Sequence, residues 1–88
     1  MIRAIDKEVL ALLGTRIKEL RKEHRLSQEK LAYAADISFS QLVRIESGKY
    51  NTSISSITSI CKAFNITLTD FFSGIDYPVP VKSKTKKK

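Results

Sequence analysis

The sequence predicts an all-α protein built from five short helices. Three observations predict it. Apolar residues recur at helical spacing, i, i+3, i+4 and i+7, and nowhere alternate as strands do. Five residues able to cap a helix N-terminus, Asp6, Ser27, Ser38, Ser53 and Thr67, each stand just ahead of such a stripe. Only three Gly and two Pro occur in 88 residues, so little interrupts the elements.

The first helix starts near Asp6 and runs to about Arg25. Leu10, Leu13, Ile17, Leu20 and His24 form one stripe along it. Gly14 weakens its middle by about 1 kcal/mol relative to Ala. An alternative start at Thr15 would leave "KEVLALL" as a separate turn. Val9 and Leu12 fall off the stripe and either pack on the last helix or meet a second subunit.

The second helix follows Ser27, with Leu31, Ala32 and Ala35 on its buried side. Its two alanines leave room for a neighbouring helix. Asp36 ends it, being a residue that tolerates left-handed backbone. The third helix has the best-specified ends. Ser38 caps it and Gln41 completes an S-x-x-Q capping box. Ile37 and Leu42 form a staple, and Gly48 stops it. The fourth helix follows Ser53 and buries Ile57, Ile60, Cys61 and Phe64. The fifth follows Thr67, with Asp70 as the second member of another capping box, and ends near Gly74.

Residues 1–75 therefore read as one domain. In residues 76–88 the prolines resist helix, and "KSKTKKK" reads as a flexible basic tail. That tail dominates the net charge of +7. Without its five lysines, 11 Lys and Arg face nine Asp and Glu, which leaves +2. The high pI is thus poor evidence of a nucleic-acid partner for the body of the domain. One cysteine forms no internal disulfide, which suits a reducing compartment. No apolar run is long enough to span a membrane, and a cytoplasmic location is expected.

The second and third helices are joined by about three residues, which is helix-turn-helix spacing over residues 27–47. At about 100° per residue, Leu42 and Ile45 share the core side of the third helix, with Gln41 and Glu46 at its edges. Phe39, Ser40, Val43, Arg44 and Ser47 form the opposite side. Three readings of that side compete. Phe39 and Val43 pack on a neighbouring loop or helix; or they make a protein–protein patch; or the face enters the DNA major groove. In the groove, Phe and Val meet thymine methyls, Ser bonds base edges and Arg grips guanine O6 and N7.

Residues 26–72, "LSQEKLAYAADISFSQLVRIESGKYNTSISSITSICKAFNITLTDFF", resemble the Cro/phage-repressor type helix-turn-helix family, also called the xenobiotic-response-element family. Gln28 with Leu31-Ala32, Ser38 at the start of the third helix and "RIESGK" at its end carry the resemblance. It implies a compact lambda-repressor-like domain that binds double-stranded DNA as a homodimer. By position it implies base reading by Phe39, Ser40, Val43 and Arg44. It implies phosphate or backbone contacts by Gln28, Ser38, Lys49, Tyr50 and Asn51. Plain solvation of Gln28 and Lys49, or packing of Tyr50 on the fourth helix, are the alternatives. Arg21 and Glu46 match a structural ion pair. Asp36, Thr52 and Phe39 depart from the common pattern, so the operator does not transfer from a relative.

A homodimer on an inverted repeat would place half-sites roughly 34 Å apart or a multiple of that. Leu68, Phe71, Phe72 and Ile75 are candidates for the dimer surface. The lysine tail either adds salt-sensitive phosphate attraction or only solubilises.

Catalysis is poorly provided for, with one His and one Cys. His24 suits the end of the first helix and Cys61 suits the core. No metal-ligand spacing occurs, and no cofactor is expected. No separate sensor domain is expected in 88 residues, so control by dose, oligomerisation or a protein partner is expected. Restriction-modification controller, antitoxin and phage or plasmid regulator stay open, with a toxin or polymerase as possible partner. So does a protein-interaction module without DNA binding.

Overall fold

A computed structural model describes residues 6–75. The N-terminal five residues and the basic segment 76–88 lie outside them. Five helices follow one another: α1 Lys7–Glu23, α2 Gln28–Ala35, α3 Phe39–Ser47, α4 Ile54–Phe64 and α5 Leu68–Ser73. No strand occurs among the described residues.

All five N-caps form. The Asp6 carboxylate accepts from the amides of Glu8 and Val9 at 3.0 and 3.2 Å. Ser27, Ser38, Ser53 and Thr67 each accept from the amide three residues on, at 3.0–3.1 Å. Each such cap contributes about 1 kcal/mol. Asp36, Gly48 and Asn65 close α2, α3 and α4 in left-handed backbone, with φ of 58°, 76° and 61°. The reciprocal half of the α3 capping box does not form. Gln41 donates from Nε2 to the Ser56 hydroxyl at 3.1 Å and so ties α3 to α4.

α1 is one helix through Gly14, and its start is Asp6, not Thr15. The glycine has a packing reason. A Cβ there would stand 2.5 Å from the carbonyl oxygen of Glu46 and 2.9 Å from that of Ile45. The backbone of α1 thus lies directly against the end of α3. Gly48 makes the matching approach: its Cβ would stand 2.8 Å from the Cα of Ala11.

The core joins Ile17 and Leu20 of α1 to Leu31, Ala32 and Ala35 of α2 and Leu42 and Ile45 of α3. Ile57, Ile60, Cys61 and Phe64 of α4 complete it with Phe71 of α5. α1 packs on α3, and α2 on both α3 and α4. Cys61 is buried there, and burial pushes its thiol up from the ordinary 9.0, partly countered by the nearby Arg16 charge. His24 is on the surface side of the stripe. Its Nδ1 lies 2.9 Å from the Leu20 carbonyl and its ring is tilted against Phe64.

Phe71 corrects an expectation. It is 0% exposed and belongs to the core, so it has no surface to offer a second subunit. Its neighbour Phe72 meets it edge-on, centroids 5.1 Å apart, and is the exposed member of the pair. α5 is fastened from α1. Arg16 donates from Nε to the Phe71 carbonyl at 2.8 Å and from Nη2 to the Asp70 carbonyl at 2.9 Å.

Candidate nucleic-acid interface

α3 presents two sides. Leu42 and Ile45 are buried, and Ile37 packs beside them ahead of the cap. On the opposite side Phe39 is 48% and Val43 37% exposed. Ser40, Arg44 and Ser47 are exposed around them. The face therefore has an apolar centre, two hydroxyls and one cation, and no acid. Ser47 is occupied at the helix end, donating to the Arg44 carbonyl at 2.6 Å and accepting from the Lys49 amide at 3.3 Å. The Ser38 hydroxyl is exposed while it caps α3.

The back of α3 is held by an ion pair. Arg21 of α1 donates from Nε to Glu46 Oε2 at 2.8 Å and from Nη2 to Oε1 at 3.2 Å. Its Nη1 donates to the Leu26 carbonyl at 3.0 Å. Glu46 is 3% exposed, a buried carboxylate whose charge this fork answers. Gln28, at the first position of α2, adds a third bond, from Nε2 to Glu46 Oε1 at 3.0 Å. The expected pair is present, and Gln28 is part of the same cluster.

Lys49, Tyr50 and Asn51 follow α3 on the surface. Sequence reasoning missed Lys7, which lines one cleft with Leu10, Gly48 and Lys49. The second cation there comes from the start of α1, brought alongside by the glycine contacts. It also missed Arg16, which stands beside the apolar stripe of α1 and whose partners lie on α5.

A second, apolar cleft is lined by Val9, Leu13, Ile54, Phe72 and Ile75. Of the expected dimer residues it gathers Phe72 and Ile75; Leu68 is exposed on α5 but is not part of the lining. Ile54, at the start of α4, was not foreseen there. Among the described residues no His, Cys, Asp and Glu gather into a metal site, and no helix is long and apolar enough to cross a membrane.

Two short helices joined by a tight left-handed turn, the second with one buried and one open side, define a helix-turn-helix domain. The chain belongs to the Helix-turn-helix family, whose model matches residues 17–71. It is 40% identical over 57 residues to the immunity repressor protein of Bacillus phage phi105, a match covering 65% of this chain and 40% of that one. It is 39% identical over 64 residues to control protein C.MunI of a Mycoplasma species, covering 72% and 86%. The chain thus spans less than half of the phage repressor and most of the control protein. Among solved structures it superposes with a TM-score of 0.70, at 29% identity, on the restriction-modification controller C.Esp1396I. That match covers 74% of this chain and 86% of the other, and the structure is a tetramer with its natural 35 base-pair operator.

Proposed function

We propose that this protein is a sequence-specific DNA-binding transcriptional regulator that acts as a homodimer on an inverted repeat. One observation carries the reading. The open side of α3, with Phe39, Ser40, Val43 and Arg44, is fixed from behind by the buried Glu46–Arg21 pair. A rigid helix with such a face fits the major groove, where Arg44 reaches guanine and Phe39 and Val43 reach thymine methyls. Gln28, Ser38, Lys49, Tyr50 and Asn51 border it at the level of the phosphates. The apolar cleft with Phe72 and Ile75, together with Leu68, is the surface on which two copies pair. The protein is not an enzyme, and it works in the cytoplasm. Its basic segment 76–88 adds salt-sensitive attraction to DNA.

Fluorescence anisotropy with random and selected duplexes, over a series of salt concentrations, tests this. Binding that weakens steeply with salt, and a selected site bound far more tightly than random sequence, are expected. No binding to any duplex at low salt would sink the reading in favour of a protein-interaction module. Selection from a randomised duplex pool yields the operator.

A further inference from the structure

Gln28 and Glu46 belong to different helices, and their contact joins two functions. A carboxylate held by a guanidinium only accepts hydrogen bonds, so the side of the Gln28 amide that faces it is the NH2. One of its two N–H bonds is thereby spent on Glu46. The amide is planar, so its rotation is fixed at the same time. The second N–H of Gln28 has no partner among the described residues, and the side chain is only half-buried. It stands at the first position of α2, where the first-turn amides and the helix dipole favour an anion. An amide turned the other way would offer its oxygen to that anion and repel it.

Glu46 alone would be an unsuitable neighbour for a phosphate. Arg21 removes the objection, because its fork neutralises the buried carboxylate from behind. The cluster can therefore orient a donor without adding charge to the site. Glu46 also belongs to α3, one residue past Ile45 of the core. Whatever seats Gln28 on the DNA backbone also refers the seat to the pose of α3.

We infer that Glu46 is a positioning residue for DNA binding: it fixes the Gln28 amide so that its free N–H meets a backbone phosphate, and so couples backbone anchoring to the placement of α3. The inference rests on the DNA-binding reading above. Arg21 and Glu46 are then more than a scaffold brace.

A double-mutant cycle of Gln28→Ala and Glu46→Gln tests it. Binding is measured on random duplex, where base reading does not enter, at a temperature at which circular dichroism shows every variant folded. Gln28→Ala is expected to weaken binding roughly tenfold, as for a bond to a charged acceptor. Glu46→Gln is expected to weaken it several-fold and to add almost nothing in the Gln28→Ala background. For Gln28→Ala the salt slope stays the same, because the lost donor is neutral and displaces no counterion. A merely structural Glu46 would give losses that multiply, and multiplying losses overturn the inference while leaving DNA binding intact. Wild-type protein that binds no duplex overturns the reading and the inference together. Should Glu46→Gln fail to fold, the side-chain amide resonances of wild-type Gln28 serve instead. A restrained amide, of which one proton shifts strongly on adding duplex, is expected; a freely averaging amide overturns the inference.

Discussion

Arg21 meets the Glu46 carboxylate side-on, Nε to Oε2 at 2.8 Å and Nη2 to Oε1 at 3.2 Å, across the gap between α1 and α3. Removing one partner leaves the other poorly solvated. Glu46→Ala is expected to destabilise by about 3 kcal/mol, the lower end for a broken buried pair, because the Arg21 side chain keeps some contact with water. For a domain of this size that lowers the thermal midpoint by roughly 10 °C or more. An unchanged midpoint would refute the pairing.

Gly14→Ala reverses the usual rule. In an exposed helix it would stabilise by up to about 1 kcal/mol. Here the new Cβ would press on the backbone oxygen of Glu46, 2.5 Å away. Backbone cannot step aside as a side-chain tip does. A loss of about 1–3 kcal/mol is expected in denaturant unfolding; a gain in stability would show that α1 and α3 do not approach this closely.

Arg44→Ala addresses base reading. It is expected to reduce the preference for the selected site by about 1–3 kcal/mol and to change random-duplex affinity much less. An equal loss on every duplex would make Arg44 a phosphate contact.

Phe72→Glu addresses the pairing of two copies. Phe72 is exposed on α5 and lines the apolar cleft, so a carboxylate there has water in the single domain and none in a dimer seam. Sedimentation should show a shift toward monomer, with helical content retained. A variant as dimeric as the wild type would move the interface elsewhere.

Cys61 gives a pH dependence. Burial disfavours its thiolate, so the folded state keeps the proton to higher pH than the unfolded state, whose thiol titrates near 9.0. Between those two points the folded state binds more protons, and stability falls as pH rises. The stability contribution is complete below pH 9.0 and is lost as pH climbs through the folded value. Wild type should therefore lose more stability than Cys61→Ala above that pH. The native thiol should also react slowly with a disulfide reagent. Equal alkaline slopes for the two proteins would contradict this.

The fold was legible because its signals are local. Ser27, Ser38, Ser53 and Thr67 each reach only three residues along the chain. The open and buried sides of α3 follow from helical geometry alone. Contacts between distant helices were not legible. Gln41 has the spacing of a capping box, but Ser56 is a competing partner that only the packing supplies. Phe71 and Phe72 are adjacent and chemically identical, and which one enters the core depends on how α5 is seated. Gly14 read as a weak point because its neighbour, the Glu46 carbonyl, is 32 positions away in the chain. Lys7 was passed over for the same reason.

The hold of Arg16 on α5 ties the first helix of the domain to its last. α5 has six residues, too few to persist as a helix by itself. The carbonyls that Arg16 grasps lie 54 and 55 positions further along the chain. The seat of Phe72 therefore depends on a side chain near the opposite end of the described residues. A change at Arg16 would reach the exposed face of α5 without touching any residue on it.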